Sequence, residues 1–228
     1  MEIKQPELQV ARSYTPLPPT FEHNASGGLR FLIRREIQGE MSGYLFNLRE
    51  GQGLQLRGPH SDFDLPPELR QVVFLAGGTG IAPALQVVHT LLKRGDYVRR
   101  IHILWANRRR EDCVGGDPNN LFTAEERESP VIRDLKHLQN QYPGKMSVEY
   151  LVDEEGHTID RQKMSQFAKT ERQKPSENER IMFVSGPEGF VNFLAGPKVW
   201  EGGNQPGQGV LGGLISQVGL ESWKVWKF

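Results

Sequence analysis

The chain has 228 residues, a formal net charge of zero, 37% apolar residues and a single cysteine. That length holds one large domain or two small ones, and the neutral balance argues for neither nucleic acid nor an anionic surface as a partner. One cysteine, Cys113, excludes an intrachain disulfide framework, and six scattered histidines form no zinc-type cluster with it, so no metal site is expected.

The first seventy residues read as a small β-rich module. Arg12–Leu17 and Leu29–Glu36 have the pattern of strands, the second alternating Leu29, Phe31 and Ile33 against charged residues. Met41–Leu48 reads as a short helix and Leu54–Arg57 as a third strand. Three strands are too few to close a barrel without long exposed edges, so the chain is expected to begin inside a larger domain, as an N-terminally truncated piece of a barrel. The boundary is expected near Pro66-Pro67, giving domains 1–67 and 68–228.

Four short apolar runs follow: Val72–Ala76, Ile101–Ala106, Val148–Val152 and Ile181–Val184. They are continuous rather than alternating, as strands of a parallel sheet buried on both faces are. Between the first two, Ala82, Leu85, Val88 and Leu92 share a helical face, with Pro83 in the first turn and Gly95 at the exit. Ser129-Pro130 reads as an N-cap before Val131, Leu135 and Leu138. Further helices are expected from Asp160 and after Gly186-Pro187, with exposed loops at 170–180 and 201–209. Alternating strands and helices predict a doubly wound α/β domain.

The ends of these strands carry glycines or small polar groups: Gly77-Gly78-Thr79-Gly80, Asn107, Asp153 and Ser185-Gly186-Pro187. Ligands of open α/β sheets bind at the carboxyl ends of the strands, so one concave site is expected there. A strand, a glycine turn and a helix N-terminus suit a pyrophosphate or another part of a nucleotide. The turn is neither G-x-G-x-x-G nor a P-loop, and a tight turn in an α/β core is the plain alternative.

Arg12-Ser13-Tyr14-Thr15, Gly39-Glu40-Met41-Ser42, Gly77–Pro83 and Ser185-Gly186-Pro187 occur in one order. On these motifs the chain resembles the ferredoxin–NADP reductase superfamily, nearest its NADH–cytochrome b5 reductase branch, from about Arg12 to the C-terminus. The resemblance implies an FAD-binding β-barrel followed by a nucleotide-binding α/β domain. It implies that Arg12 neutralises the FAD pyrophosphate, Tyr14 packs along the flavin, and Ser13 and Thr15 complete that motif. Gly39, Met41 and Ser42 would hold the pyrophosphate at a helix N-terminus, with Ser42 as a simple cap the alternative, and Arg35 would face the same region. Gly77, Gly78, Thr79, Gly80 and Pro83 would form the nicotinamide-side turn, with Thr79 and Ser185 at the reacting rings. Ser185 stands where the family has cysteine, and Glu188-Gly189-Phe190 departs from the family's proline-rich continuation. Two readings stand for Phe228: an aromatic residue governing ring access, or the end of a final strand in which Trp223, Val225 and Lys227 alternate with Lys224, Trp226 and Phe228.

Asn107 opens a basic run, Arg108-Arg109-Arg110, which suits a 2′-phosphate or a solvated turn balanced by Glu111 and Asp112. Asp153 matches an acidic position of the NADH-using reductases, so NADH is expected over NADPH. His89, His102 and Cys113 read as structural. The resemblance implies hydride transfer from nicotinamide to FAD, then electrons to a haem protein or other one-electron acceptor. The Ser-Gly-Pro-Glu-Gly-Phe segment and Trp-rich tail resemble fungal mitochondrial flavoproteins that support haem attachment to cytochrome c. That narrower likeness implies cytochrome c or its haem-attachment machinery as partner, and the intermembrane-space side of the inner mitochondrial membrane as location. No apolar run reaches the roughly 20 residues needed to span a bilayer, so a soluble chain is expected, with any membrane anchor in a segment it lacks. The alternative is a nucleotide-binding or assembly module without flavin and without catalysis.

Overall fold

A computed structural model describes residues 1–6, 9–19, 28–95, 98, 100–113, 128–169, 179–200, 206–220 and 223–228. The chain divides into two compact units, Met1–Asp64 and Leu65–Phe228.

In the first unit, β1 (Glu2–Gln5) pairs antiparallel with β2 (Val10–Ser13) on one side and with β5 (Gln55–Arg57) on the other. Strands β3 (Pro16–Leu17) and β4 (Arg30–Phe31) form a separate antiparallel pair. Helix α1 (Glu40–Asn47) packs on β1 and β2. Three expectations are corrected here: the strand expected over Arg12–Leu17 breaks at Tyr14-Thr15 into β2 and β3, which join different sheets. The strand expected over Leu29–Glu36 shrinks to Arg30–Phe31, because only those residues find a partner in β3 and Leu29 is 54% exposed. The central strand is β1, which the sequence pattern did not single out, and Ile3 is its one fully buried side chain.

The second unit is built on a five-stranded, all-parallel sheet. Its strands are β6 (Gln71–Gly77), β7 (Arg100–Asn107), β8 (Met146–Val152), β9 (Arg180–Ser185) and β12 (Lys224–Lys227), in the spatial order β12-β9-β6-β7-β8. The chain therefore starts at the centre, steps outward through β7 and β8, and returns to the other side of β6 with β9 and β12. This is the doubly wound topology, and its switch point lies between the carboxyl ends of β6 and β9. Continuous apolar strands are needed because helices cover both faces. Helix α2 (Ile81–Lys93) leads from β6 to β7, α3 (Pro130–Gln141) from β7 to β8, α4 (Arg161–Lys169) from β8 to β9, and α5 (Glu188–Ala195) from β9 toward β12.

Val73, Leu75, Leu104, Leu151, Met182 and Val184 meet Met164 of α4 and Val191 and Leu194 of α5 in one core. The alternate residues Phe74, Phe183, Ile101 and Ile103 are all completely buried on the opposite face. Burying each such side chain contributes about 1.5–3 kcal/mol.

The helix boundaries have local causes. Gly95, at φ +66, closes α2 by donating its N–H to Leu92 O. Asp160 Oδ1 accepts the N–H of Lys163 at 2.7 Å and so caps α4. Ser129 occupies the N-cap position of α3 but makes no side-chain capping bond there. Most of 170–180 lies outside the described residues, although Arg180 opens β9. Residues 201–205 also lie outside them. The expectation of a loop at 201–209 is corrected at Pro206–Gly207, which forms β11 against β10 (Val199–Trp200).

Candidate functional site

At the switch point, Gly77 ends β6, and Gly78–Gly80 form a single 3-10 turn that runs directly into α2. Gly78 takes φ +52, a conformation that favours glycine, and its carbonyl accepts the indole N–H of Trp105 at 2.8 Å. Thr79 is exposed, whereas Gly80 is buried. Facing this turn, Ser185 ends β9 at 6% exposure, and Pro187 is the N-cap of α5, its carbonyl accepting the N–H groups of Phe190 and Val191.

The two turns touch through their glycines. A Cβ on Gly80 would lie 2.2 Å from the carbonyl oxygen of Ser185, and one on Gly186 would lie 3.0 Å from Cα of Gly77. The Phe190 ring fills the remaining space, 3.0 Å from a Cβ on Gly77 and 2.9 Å from one on Gly186. The space opened by Gly77, Gly80 and Gly186 is occupied by protein, and these glycines let two turns close on each other. Thr79 and Pro187 are exposed beside the seam, and Gly78 and Gly186 are half-buried. Pro83 sits half-buried in the first turn of α2.

At the end of β7, Asn107 is 4% exposed and its Nδ2 has no hydrogen-bond partner among the described residues. A buried amide donor left unpaired costs free energy, so it marks a position where a ligand's acceptor is favoured. The basic run after it is largely engaged. Arg109 pairs with Glu111 at 3.0 Å, and Arg110 forms a two-pronged pair with Glu155 in which Nε donates to Oε1 at 2.7 Å. Glu155 belongs to the 3-10 turn Asp153–Glu155 after β8, and the Arg110 partnership holds its carboxyl below the usual range. Arg108 and Asp153 are both exposed at this corner. Cys113 is fully buried, and burial raises its thiol pKa.

Phe228 follows β12, and its N–H bonds Val184 O at 2.9 Å. Its ring stacks on Phe74 and Phe183, with centroids 5.9 and 5.4 Å away. The expected final strand forms over Lys224–Lys227, and Phe228 lies just past its end. Beside it, the buried Lys227 donates from Nζ to the carbonyls of Ala195, Gly196 and Pro197 at 3.0–3.3 Å, and to Val210 O at 3.4 Å. A cation thus closes the carbonyl end of α5, where the helix dipole favours it.

In the first unit, Arg12 and Ser13 are exposed on β2, and Tyr14 and Thr15 follow it, half-buried. Tyr14 N–H bonds Met1 O at 2.8 Å, and burial raises its phenol pKa, with Arg12 opposing. Arg35 lies over the Phe46 ring at 5.1 Å. Gly39, the N-cap of α1, supplies no side chain to the free N–H groups of the first turn, and Met41 is buried in that turn. Ser42 does not cap the helix by accepting from its first turn. Its Oγ accepts Glu36 N–H at 3.1 Å and donates to Gly39 O at 3.2 Å, so it fastens the loop that enters the helix.

These residues suit the groups the motifs imply. An uncapped helix start and the exposed Arg12 provide cationic and N–H donors for a pyrophosphate in the first unit. Thr79, Gly78 and the unpaired Asn107 Nδ2 provide polar contacts for a nucleotide in the second. Among the described residues no group of His, Cys, Asp and Glu is placed to hold a metal ion.

Sequence reasoning missed Phe190, Trp105, Glu155 and Lys227. For Glu155 the sequence showed an acidic run, Asp153-Glu154-Glu155, and a basic one, Arg108-Arg109-Arg110, but not that they follow adjacent strands.

The doubly wound unit, with its switch-point glycine turn, follows a small antiparallel unit, as in two-domain flavin- and nicotinamide-dependent oxidoreductases. Residues 1–65 match the family described as oxidoreductase FAD-binding domain, and residues 74–195 the one described as oxidoreductase NAD-binding domain. The chain belongs to the ferredoxin–NADP reductase superfamily, in its cytochrome b5 reductase-like branch. It is 28% identical over 227 residues to NADH-cytochrome b5 reductase 2 of Kluyveromyces lactis, covering 96% of this chain and 67% of that protein. The Candida albicans protein of the same name is 26% identical, with 96% and 66% covered. The chain thus spans about two thirds of the length of these relatives. In fold it is similar to the cytochrome b5 reductase domain of Ulva prolifera nitrate reductase, with a TM-score of 0.64, 19% identity, and 99% and 82% of the two chains covered. Ferredoxin-NADP+ reductase from Plasmodium falciparum gives a TM-score of 0.61 at 16% identity, covering 100% of this chain and 80% of that one.

Proposed function

We propose that the protein is an FAD-dependent NADH oxidoreductase that passes electrons to a haem protein. FAD, when bound, supplies hydride acceptance and one-electron release. The chain's own residues bind and orient. Arg12 and the start of α1 hold the pyrophosphate, Tyr14 and Thr15 line the flavin, and Thr79 with Asn107 positions the nicotinamide nucleotide beside Ser185. The observation that carries the reading is the closed seam of Gly77, Gly80, Ser185 and Gly186 at the switch point, with exposed Thr79 beside it and the unpaired Asn107 Nδ2 at the neighbouring strand end. The reductase names of the yeast relatives support NADH as donor and a cytochrome as acceptor.

The narrower reading, in which the acceptor is haem or apocytochrome c during mitochondrial haem attachment, rests on Ser185–Phe190 and the Trp-rich tail. Anaerobic NADH titration of the FAD-loaded chain, followed by flavin absorbance, tests the reductase. Bleaching supports it, and a loaded protein that stays yellow overturns it. Cytochrome b5 and apocytochrome c offered to the reduced protein then separate the acceptors.

A second reading is a nucleotide-binding module without flavin, favoured by the serine at 185. A protein that stays colourless in excess FAD yet binds NADH would establish it.

A further inference from the structure

Adjacent strands β7 and β8 end in turns of opposite charge. The first carries Arg108, Arg109 and Arg110 followed by Glu111 and Asp112. The second carries Asp153, Glu154 and Glu155. Three guanidinium groups against five carboxylates leave a local charge of −2 when His157 is neutral.

The two turns are bonded into one corner. Glu154 N–H donates to Arg108 O at 3.2 Å, and Arg110 N–H donates to Glu154 Oε1 at 2.7 Å. Glu155 then takes the guanidinium of Arg110 through both carboxylate oxygens. His157 Nδ1 stands 3.6 Å from Glu155 Oε2. Arg109 is drawn to Glu111, and its N–H to Asp112 Oδ2 at 3.4 Å.

We propose that the Arg110–Glu155 pair determines nucleotide choice by withholding one guanidinium of the basic run from a 2′-phosphate. The inference rests on the proposed nicotinamide-nucleotide function of this unit. A phosphate monoester is a near-dianion that takes a guanidinium fork in the same two-pronged way as a carboxylate. Glu155 already fills that fork, so the phosphate must displace a carboxylate and enter a corner of net negative charge. A ribose with a free 2′-hydroxyl meets neither obstacle. The Arg110 side chain is only 13% exposed in this pair, and it borders a cavity of about 480 Å³ that His157 and Thr158 also line. A guanidinium freed from Glu155 has space to turn. The chain thus contains an arginine able to take a phosphate in two-pronged fashion, held by a carboxylate 45 positions away.

Calorimetric titration of the whole chain with AMP and with 2′-phospho-AMP tests this without flavin or turnover. Wild type, Glu155→Gln, and Glu155→Gln combined with Arg110→Met are compared. The wild type is expected to bind AMP more tightly than 2′-phospho-AMP. Glu155→Gln should tighten 2′-phospho-AMP about fivefold, the order expected for a partly exposed ion pair, while AMP stays within about twofold. The added Arg110→Met should remove that gain. An unchanged AMP to 2′-phospho-AMP ratio in Glu155→Gln overturns the inference, as does a gain that survives loss of Arg110 or a loss of AMP binding in Glu155→Gln. If AMP binds and only the ratio fails to move, the nucleotide-binding function stands and this inference falls. If neither nucleotide binds the wild type, both fall together.

Discussion

Gly80 and Ser185 lie so close that any side chain on the glycine would enter the serine's peptide group, its Cβ 2.2 Å from the carbonyl oxygen. The contact joins the turn after β6 to the turn after β9, across the point where the strand order reverses.

Gly80→Ala is therefore expected to destabilise the chain by about 3 kcal/mol, at the upper end for overpacking a well-filled site. Gly189→Ala, in the first turn of α5 with nothing within 4 Å of its Cβ, should be neutral or stabilising by about 0.5 kcal/mol. Urea unfolding of both variants checks the contrast. Equal midpoints would mean that the seam has more slack than its geometry shows.

Lys227→Met removes the ammonium that the carbonyls of Ala195, Gly196, Pro197 and Val210 share. Methionine fills similar volume but takes a donor from each of these carbonyls, of which Ala195 O keeps the Gly212 N–H at 3.0 Å, so a loss of about 2–4 kcal/mol is expected. Thermal unfolding reads it. A melting temperature equal to wild type would show that water replaces the ammonium at no cost.

His102 lies in β7, its Nδ1 on the Ser147 hydroxyl and its ring 5.4 Å from Phe167. Burial lowers its pKa, with Glu149 opposing and Lys163 and Arg100 adding to the shift. The unfolded chain, with an ordinary value of about 6.5, takes up the proton first. Stability is therefore full above that pH and declines as pH falls toward the folded-state value. His102→Gln should lose less stability than wild type between pH 7.5 and 5.5. Parallel urea curves at both pH values test this.

Arg12→Ala should weaken FAD binding about tenfold, since the exposed guanidinium supplies charge to the pyrophosphate. Excess FAD should restore bleaching by NADH. Titration by flavin fluorescence measures the affinity. Unchanged binding would remove Arg12 from the site.

The parallel sheet was legible because its strands are buried on both faces, so Val72–Ala76 and Ile181–Val184 stand out as continuous apolar runs. Strand β1 was not, since Glu2, Lys4 and Gln5 surround the lone apolar Ile3 even though Gln5 is 6% exposed. Glycines at 77, 80 and 186 announced a demand for space. They could not announce its occupants, which are Phe190 and the opposing backbone. The basic run at 108–110 was visible as charge, but its neutralisation depends on the register of β7 against β8, which no local pattern encodes. Lys227 looked like one member of an alternating tail, and its burial follows from the end of α5 arriving beside it.

Strand β6 lies at the middle of the sheet and β8 at its rim. Amide protons of β6 and its glycine turn should thus exchange only when the whole unit opens, whereas the acidic turn after β8 can be released by fraying of an edge. A nucleotide stretched from one to the other would rest on an anvil at its reactive end and on a hinge at its distal end.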